Sequence, residues 1–557
     1  MKDAAIPDGM NYMFNQGAIQ RFRLRDKLFT PLLPDRILKY HLYKQRAGGV
    51  NWFLMVLTKR DICYWDSAES RYAFLTQQYA VGTASFVQGD ATVTAGGGAN
   101  FTNLKAGDFI TIGATYSSDD TWYEVLSVAA DTLELTTNYA GANTGAVAYK
   151  ARKTYAGTNT DYWSCVTYEN KFYATNNGID YVQEWPGSNL CVDITNLVDK
   201  CRYLYEYEGH LLAINLVTGT YPQRIKGSDL ANATNWTTGD ATTFDVKSVH
   251  PLKGAAIVKG FLILFTEESI HKYWYVGGTL IYNGEKIVDG IGCKAPHSII
   301  ERDTGCFFYA NDNKFRFFTG FSWDSISDNI FPKTSAFSPT YEEYIQGIFV
   351  KEYNQLLWAC PSSESEGYLD RLWTFDLDGA QWSESDVDIS CLGSYLSEDT
   401  YTWATLPYAT WDDWNWSSWD SRFNIAGAPY ILAGGYDGYT YRLNFTDTDA
   451  GASYNSYFCL ETDLMQKGGL HYRKRITELQ IFVKKRSEGT LTVKCSREGS
   501  GFTDAGAGSI SLNGTPDILK VRLPCDDSGS WFRHEFSSTG FYEFLGVIFQ
   551  FSVIGER

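Results

Sequence analysis

Pairs of neighbouring carboxylates are residues of this 557-residue chain whose types and spacing could support acid–base chemistry. Glu267-Glu268 and Asp412-Asp413 are the candidates among them. Hydrolysis of a glycosidic bond uses two carboxyl groups that flank the bond from opposite sides. Acidic pairs are also common at the ends of strands, so neither pair alone predicts a hydrolase.

A cluster of tryptophans is the most unusual local feature of the sequence. It contains Trp411, Trp414, Trp416 and Trp419, with aspartates between and after them. Indole rings stack on sugars, and they also anchor protein interfaces because they bury a large area at low entropic cost. An interface, a sugar-binding platform and the packing of a long loop all remain open interpretations.

Two short rows of basic residues carry the densest positive charge of the sequence. They are Arg473, Lys474, Arg475 and Lys484, Lys485, Arg486. We consider these rows candidates for contact with DNA phosphate or with an acidic surface of another subunit. A solvated strand face is the alternative.

Established catalytic and metal-binding motifs are missing from the sequence. It has no Gly-x-Ser-x-Gly, His-Glu-x-x-His or P-loop pattern, and its seven His residues are isolated. The eleven Cys are scattered singly, mostly in strand-like apolar runs and without the spacing of a zinc site. We therefore expect no enzyme activity, no metal and no cofactor. We also expect reduced, buried thiols in a protein that folds in a reducing cytoplasm.

The elements that must position all of these residues are short strands. In the stretch Leu252–Tyr275, the apolar runs Ala255–Val258 and Phe261–Phe265 are separated by Lys259-Gly260, and an alternating run follows at Ser269–Trp274. Runs of four to six residues without a 3.6-residue period are typical of strands. An aromatic content of 16% also favours β structure.

The same pattern recurs along the chain. Its turns fall at Asn170, Gly209, Gly260, Gly305 and Asn354, which are 39, 51, 45 and 49 residues apart. A period of about 40 to 50 residues with three or four strands predicts the blades of a β-propeller. We expect an all-β protein with a degenerate propeller of about seven blades, six to eight being possible. A run of meanders forming a sandwich is the alternative.

Composition divides the chain further. Residues 1–36, with the basic run Arg21, Arg23, Arg25 and Lys27, predict an extended arm that packs on another surface, or else a solvated leader. The propeller is expected over 37–452, interrupted by a small β-barrel at 86–150 that is rich in Ala, Gly and Thr. Alternating strands from 453 to 557 predict a C-terminal β-sandwich.

Three hairpin turns of type I′ are predicted within the propeller region. They fall at Asn283-Gly284, Asp378-Gly379 and Asp437-Gly438. Asn-Gly is the preferred pair for this turn because both of its central residues need a positive φ.

The net charge of −17 limits the partners that the chain can have. An acidic chain is not a general nucleic-acid binder held by counterion release, although an acidic surface suits a conduit through which DNA slides without sticking. The sequence has no signal-peptide pattern and no run of 18 apolar residues, so we expect no secretion by a signal peptide and no membrane-spanning segment.

The order of these parts resembles the tail hub or nozzle proteins of short-tailed bacteriophages. The resemblance rests on the blade core Gly209–Leu216, the phrase Tyr221–Asp229 with Asn235-Trp236, the run Lys314–Gly320 and the sandwich with Arg473–Arg475. The insert, with Gly107-Asp108 and Trp122, is similar to small barrel modules of phage structural proteins.

This resemblance implies a structural protein of the virion tail, made in the host cytoplasm. Six copies would form a homohexameric ring below an adaptor ring. The lumen would retain packaged double-stranded DNA and conduct it during ejection without sequence specificity, and exposed loops would support tail fibres or contact a receptor. A carbohydrate-active or host-surface-binding propeller is the alternative. A baseplate or fibre-attachment component of a longer tail is a second one.

Overall fold

A computed structural model of the chain describes residues 9–15, 17–46, 51–76, 78–79, 81–113, 121–194, 196–197, 199–278, 280–396, 429–462, 469–484, 489–513 and 518–556. Strands dominate these ranges. The N-terminal segment contains β1 (Gly9–Met10), β2 (Tyr12–Asn15), β3 (Ala18–Arg21) and β4 (Arg25–Lys27). Three of these four strands pair with strands more than 400 residues away along the sequence.

The next strands form one propeller blade and the inserted module. Blade 1 consists of β5 (Ile37–Gln45), β6 (Asn51–Thr58), β7 (Ile62–Asp66) and β8 (Arg71–Phe74). The module consists of β9 (Gln78–Tyr79), β10 (Thr83–Phe86), β11 (Thr92–Gly96), β12 (Phe109–Ile112), β13 (Tyr123–Val128), β14 (Thr132–Leu135) and β15 (Tyr149–Arg152). These strands join in the order β10-β11-β14-β13-β12-β15-β9, and a bridge between Ala84 and Val147 brings the ends of the sheet together. The predicted small barrel is confirmed, with strands that start and end outside the predicted range 86–150.

Six further blades follow the module. Blade 2 consists of β16 (Trp163–Tyr168), β17 (Lys171–Asn176), β18 (Gln183–Trp185) and β19 (Val192–Asp193). Blade 3 consists of β20 (Cys201–Tyr207), β21 (His210–Leu216), β22 (Tyr221–Gly227) and β23 (Thr242–Asp245). Blade 4 consists of β24 (Leu252–Val258), β25 (Phe261–Thr266), β26 (Ser269–Tyr275) and β27 (Tyr282–Asp289). Blade 5 consists of β28 (Ile300–Arg302), β29 (Gly305–Tyr309), β30 (Phe315–Phe318) and β31 (Trp323–Ser325).

The last two blades close the propeller. Blade 6 consists of β32 (Gln346–Val350), β33 (Gln355–Cys360), β34 (Arg371–Asp376) and β35 (Gln381–Asp386). Blade 7 consists of β36 (Leu392–Leu396), β37 (Pro429–Gly434) and β38 (Thr440–Leu443), and its fourth strand is β4. The described residues therefore form seven four-stranded antiparallel sheets, which confirms the propeller and the blade number.

Each blade buries its faces against its neighbours. One apolar cluster, for example, joins Leu57 of blade 1 to Phe172 of blade 2. At the closure of the ring, Cys391 and Leu432 of blade 7 pack with Ile37 and Val56 of blade 1. Seven such clusters lie between successive blades. Because a single blade has no closed core of its own, the ring has to be complete before any blade is stable.

Tight turns within the blades follow the sequence signals in part. Both residues of the pairs Glu169-Asn170, Glu208-Gly209 and Lys259-Gly260 have a positive φ, as the predicted two-residue hairpins require. The chain turns at Asp378-Gly379 and Asp437-Gly438 as predicted, but not as type I′, because only Ala380 and Gly438 have a positive φ there. The hairpin predicted at Asn283-Gly284 is wrong, because both residues lie inside β27, opposite Trp274 and Tyr273. The chain reverses instead near Gly277-Gly278, whose φ angles are 77° and 71°.

The C-terminal strands form the predicted sandwich. They are β39 (Ser456–Thr462), β40 (Tyr472–Lys484), β41 (Thr490–Arg497), β42 (Thr503–Ser511), β43 (Ile518–Gly529), β44 (Phe532–Ser538) and β45 (Glu543–Glu556). One sheet has the order β1-β39-β44-β41-β42 and the other β2-β3-β45-β40-β43. Their shared core includes Phe458, Ile481, Phe536 and Phe544. The N-terminal segment thus supplies one strand to the first sheet, two to the second, and one to the propeller.

Helices are few and short in the described chain. The α-helix α1 (Phe331–Thr334) has four residues, and the 3₁₀ turns are Phe101–Asn103, Pro296–Ser298, Asp328–Ile330, Glu342–Tyr344 and Gly469–His471. Across the described ranges, no helix has the length and apolarity needed to cross a membrane. All eleven Cys are free thiols, and all but the half-buried Cys165 are buried, as expected from their apolar contexts.

Candidate interaction surfaces

The first basic row lies on β40, and the alternation of the strand separates its members. Arg473 and Arg475 are exposed, whereas Lys474 between them has no exposed surface. The Lys474 ammonium donates a hydrogen bond of 2.8 Å to the Ser530 carbonyl oxygen. Lys474 is therefore an internal residue of the sandwich rather than the predicted contact with DNA or a subunit.

The exposed members of the basic rows are partly neutralised by nearby acids. Arg475 forms a two-pronged ion pair with Asp526, with N–O distances of 2.6 and 2.9 Å. The Lys484 ammonium lies 3.9 Å from a carboxylate oxygen of Glu543. The role predicted for Arg473, Arg475 and Lys484 in binding DNA or a subunit stays a prediction.

Several predicted residues lie outside the described ranges. These are Lys485, Arg486, the acidic pair Asp412-Asp413 and the cluster Trp411, Trp414, Trp416 and Trp419. The described acidic pair, Glu267-Glu268, lies in the turn between β25 and β26, and Glu268 is 3.2 Å from the His250 ring. Among the described residues, no group of three His, Cys, Asp or Glu side chains is arranged to hold a metal ion.

The N-terminal basic residues are bound within the chain. Arg21 has no exposed surface; its guanidinium donates to the carbonyl oxygens of Thr539 and Tyr454 and lies 3.9 Å from the centre of the Tyr454 ring. Arg25 pairs with both carboxylate oxygens of Asp449, at 2.8 and 2.9 Å. The paired Asp449 raises the pKa of Arg25 even though burial opposes it.

The other two basic residues of this segment make similar contacts. Arg23 lies 3.0 Å from an Asp447 oxygen, and the Lys27 ammonium lies 3.7 Å from the centre of the Tyr439 ring. We define Arg21, Arg23, Arg25 and Lys27 as the basic tether. It ties the N-terminal segment to the chain on either side of the boundary between propeller and sandwich.

Asn11 connects the sandwich to blade 6. Its side-chain amide donates to the Asn455 carbonyl at 2.9 Å, and its side-chain oxygen accepts from the Asp386 N–H at 2.8 Å. Its own N–H donates to the Glu384 carbonyl at 2.8 Å. The residue adopts a φ of 61°, which Asn tolerates better than most residues. Sequence reasoning did not single out Asn11, because its partners lie more than 370 residues away.

Aromatic rings fill the propeller axis at the end where the innermost strands begin. Tyr162 precedes β16 in blade 2, and its ring centre lies 5.7 Å from that of Tyr344, which precedes β32 in blade 6. His297, ahead of blade 5, is 5.6 Å from Tyr162 and 6.5 Å from Tyr203 of blade 3. Blades 2 and 6 stand on well-separated sides of the ring, so these contacts leave no passage for DNA along the axis of one propeller.

A carboxyl group lies where the first strands of blades 3, 4 and 5 meet. Glu301 of blade 5 accepts a hydrogen bond of 2.5 Å from the Ile257 N–H of blade 4, and Tyr205 of blade 3 shares that donor at 3.1 Å. Glu301 keeps contact with water, but the surrounding protein raises its pKa to about 7. No second carboxyl group faces Glu301 in these contacts.

A cleft of about 490 Å³ lies between the barrel and blade 1. Lys59, Arg60 and Lys105 contribute its positive charge. Asp35 lies 3.1 Å from Lys59 and 2.7 Å from Arg60, and Glu124 of the barrel lies 2.5 Å from Arg60. Lys59 and Arg60 are therefore compensated, and the pair of Arg60 with Glu124 fastens the barrel to the propeller.

Comparisons with known proteins give similarity in fold and nothing closer. No protein-family model matches the chain, and no characterised protein matches it by sequence. Among solved structures, an exo-β-1,3-galactanase from Phanerochaete chrysosporium is 9% identical, with 85% of this chain and 100% of that chain covered and a TM-score of 0.22. The Neurospora crassa Pan2 WD40 domain is 8% identical, with coverage of 77% and 96% and a TM-score of 0.22. The endosialidase of phage phi92 is 11% identical, with coverage of 80% and 67% and a TM-score of 0.18. Values this low support no statement about activity or partners.

Proposed function

We propose that this chain is a structural protein of a bacteriophage tail that assembles into a ring, a nozzle or hub, at the distal end of the tail. The ring retains packaged DNA, conducts it during ejection, and supports fibres or receptor contact. Its partners are further copies of the chain, expected to number six, together with an adaptor ring, tail fibres and DNA. In this proposal the chain has no catalytic role, and it resides in the virion tail after synthesis in the host cytoplasm.

The observation that carries the proposal is the way in which the N-terminal segment joins the propeller to the sandwich. Strands β1 to β3 complete the sandwich sheets, β4 completes blade 7, and Asn11 and the basic tether hold the segment between them. Because one segment supplies strands to both domains, the domains cannot move apart without breaking the contacts of Asn11 and the basic tether or pulling strands out of a sheet. Such a connection suits a part that has to transmit force within an assembly.

The filled propeller axis supports a path for DNA between copies rather than through one copy. The two grooves of B-DNA are about 8.5 and 7.5 Å deep, so a duplex is well over about 10 Å across. The Tyr162–Tyr344 contact, with ring centres 5.7 Å apart, blocks such a path. A lumen therefore needs several copies around a common axis. Heterologous contacts that close on themselves generate a ring of this kind, and a net charge of −17 disfavours tight binding of phosphate.

The test is electron microscopy of the purified chain, alone and with the adaptor ring from the same particle. The expected result is a six-fold ring with an open centre, and antibodies to the chain should label the tail tip of intact particles. Arg21→Met, which loosens the basic tether, should lower the yield of rings. Arg224→Ala, which removes an exposed ion pair with Asp245 on blade 3, should leave the yield unchanged.

Two results would contradict the proposal. One is a chain that stays monomeric with its adaptor and hydrolyses a polysaccharide. The other is the absence of label from the tail in particles that contain the chain.

A further inference from the structure

A further cavity, of about 280 Å³, lies between blades 1 and 2. One wall comes from β7 and β8 and includes Tyr64, Asp66 and Arg71. The other wall is the loop between β18 and β19, at residues 187–190. Sites for small molecules measure about 300 to 1,000 Å³, so this cavity has room for one small ring with its substituents. We call it the blade 1–2 cavity.

Hydrogen bonds hold the walls of the blade 1–2 cavity in place. Between the blades, the Cys191 N–H donates to the Leu75 carbonyl oxygen at 2.9 Å. Within the loop of blade 2, the ring N–H of Trp185 donates to the Asn189 carbonyl oxygen at 3.1 Å. The walls are therefore formed before a ligand arrives, which lowers the entropic cost of binding.

Aromatic rings form the apolar part of the cavity. The rings of Tyr64 and Trp185 are stacked, with their centres 5.4 Å apart and their planes 23° from parallel. Trp185 is buried, whereas Tyr64 and Phe74 are half-buried and line the cavity. Rings of this kind offer a flat apolar surface to the C–H groups of a ligand.

Two polar groups of the wall have bonding capacity left. The Tyr64 hydroxyl has no hydrogen-bond partner among the described residues. Burial, with the nearby Asp66 carboxylate adding to it, raises the pKa of Tyr64, so the hydroxyl keeps its proton and can donate. Oδ1 of Asp66 accepts from the N–H groups of Ala68 and Glu69, at 3.1 and 3.3 Å, while Oδ2 accepts from no described residue. The wall thus presents one donor and one acceptor.

The charges around the cavity are paired with one another. Arg71 lies directly opposite Asp66 on the neighbouring strand, and its guanidinium forms an ion pair with Glu69. Arg71 is the one cation among the lining residues, so a phosphate or sulfate would find no uncompensated positive charge. A cationic ligand would compete with Arg71 for the carboxylates. A neutral ligand is therefore favoured.

We infer that the blade 1–2 cavity binds a neutral sugar unit. Its C–H groups pack on the aromatic wall, one of its hydroxyls donates to Oδ2 of Asp66, and another accepts from the Tyr64 hydroxyl. A sugar combines an apolar ring face with hydroxyls that both donate and accept. The side chains of Ser188 and Asn189 are exposed at the rim and supply further polar groups to the sugar.

The source of the sugar rests on the proposed function, which includes receptor contact. In a tail protein the sugar belongs to a polysaccharide of the host surface. Binding itself does not depend on ring formation. A chain that forms rings but binds no sugar would contradict the site and leave the nozzle intact. A chain that binds a sugar without forming rings would support the site and contradict the nozzle.

The test is titration of the full chain, followed by saturation-transfer NMR, with the methyl glycosides of glucose, galactose, mannose, rhamnose and N-acetylglucosamine. We expect at least one to bind with a dissociation constant on the order of millimolar, as for one small ring with few polar contacts. Asp66→Asn keeps the contacts of Oδ1 but replaces the free acceptor by a donor, and it should weaken binding about tenfold. Tyr64→Phe removes one hydroxyl and should weaken binding about threefold.

A pair of matched variants separates filling of the cavity from a general effect on the fold. Ala73 lines the cavity on β8, opposite Tyr64, so Ala73→Leu should abolish binding without removing a polar group. Ala336→Leu makes the same change at an exposed position that does not line the cavity, and it should leave binding unchanged. Thermal unfolding shows that each variant is folded.

The source of the sugar is tested by competition. Polysaccharide purified from the host should displace the bound glycoside at an equal concentration of sugar units, which would support a receptor on the host surface. Binding of the glycoside without displacement would support the site and overturn the host polysaccharide as its source.

The inference fails if none of these glycosides binds at about 50 mM, well above the expected dissociation constant. It also fails if Ala73→Leu binds as well as the wild type, or if inorganic phosphate or sulfate displaces the glycoside.

Discussion

The two groups of basic residues in this chain have similar spacing and very different surroundings. The basic tether presents four cations at alternate positions from 21 to 27, and the row on β40 presents three consecutive ones from 473 to 475. Every cation of the tether contacts a partner distant in sequence, and Arg21 and Arg25 are mostly shielded from water. On β40, Arg473 and Arg475 point to solvent and only Lys474 is enclosed.

The difference shows that burial together with partners on separate segments, and not the density of charge, decides what a basic run contributes. An ion pair in water gains little, because solvent screens it and the side chains lose entropy. A shielded guanidinium with carbonyl or carboxylate partners contributes more, since losing it leaves buried acceptors unsatisfied.

Arg21→Met should have the largest effect on stability. The change removes a guanidinium that has no exposed surface and leaves the carbonyl oxygens of Thr539 and Tyr454 without their donor. We expect a loss of about 3 kcal/mol. Hydrogen exchange of residues 9–27 should accelerate about 100-fold, at about 1.4 kcal/mol per factor of ten, before the propeller exchanges. Unchanged exchange in this segment would mean that the tether does not hold it.

Acidification should test what it costs to charge His534, a buried histidine whose ring nitrogens have no hydrogen-bond partner among the described residues. Neither ring nitrogen of His534, in β44, has a hydrogen-bond partner among the described residues, and burial lowers its pKa to about 4. An unfolded His has a pKa of about 6.5 and binds the proton more tightly. Stability is therefore complete above about pH 6.5 and falls as the pH drops towards 4, by on the order of 2 kcal/mol.

His534→Leu provides the control for this pH dependence. It removes the titrating group, so the sandwich should lose less stability between pH 6.5 and 4 than the wild type does. Hydrogen exchange of residues 532–538 measures this locally, which matters because His41, His271 and His297 also have lowered pKa values. Equal slopes in variant and wild type would show that His534 is not the group responsible.

A pair of double-mutant cycles compares the two groups directly. Arg25–Asp449 and Arg475–Asp526 are both two-pronged ion pairs, but the side chains of the first are 18% and 23% exposed and those of the second 51% and 71%. We expect a coupling of about 1 to 2 kcal/mol for Arg25–Asp449. The coupling of Arg475–Asp526 should be too small to measure and should vanish in salt. Equal couplings in chemical unfolding would remove burial as the explanation.

The blades could be predicted because each is built from hairpins between strands that are near in sequence. The turns at Asn170, Gly209 and Gly260 follow from local residue preferences. The closure of blade 7 by β4 could not be predicted in this way, since Asp26 and Arg442 pair across more than 400 residues. The partners of the basic tether are also distant in sequence, so local patterns could not identify them. The alternate spacing of the four cations predicted an extended segment, but not the surface to which this segment binds.

The burial of Lys474 within the basic row on β40 could have been predicted from the sequence. Once residues near 477 were expected to form a strand of a half-buried sheet, alternation placed Lys474 on the side opposite to Arg473 and Arg475. Treating the three cations as one surface overlooked that signal. At Asn283-Gly284 the local sequence preference gave a wrong prediction. The chain reverses near Gly277-Gly278 instead, and Asn283 and Gly284 lie within the strand that follows.

Lys474→Met should have the smallest effect of the four on stability, although Lys474 is as buried as Arg21. Met has nearly the same length and fills the same space, and losing the hydrogen bond to Ser530 is offset because a charge no longer has to be desolvated. We expect a change of about 1 kcal/mol or less in the free energy of unfolding. Lys474→Ala, which also leaves a cavity, should cost about 2 kcal/mol more. If Lys474→Met were as damaging as Arg21→Met, a buried ammonium inside the sandwich would matter as much as a guanidinium that joins separate segments. The different contributions of the two basic groups to stability would then be explained by burial alone, and the number of partners would have no effect.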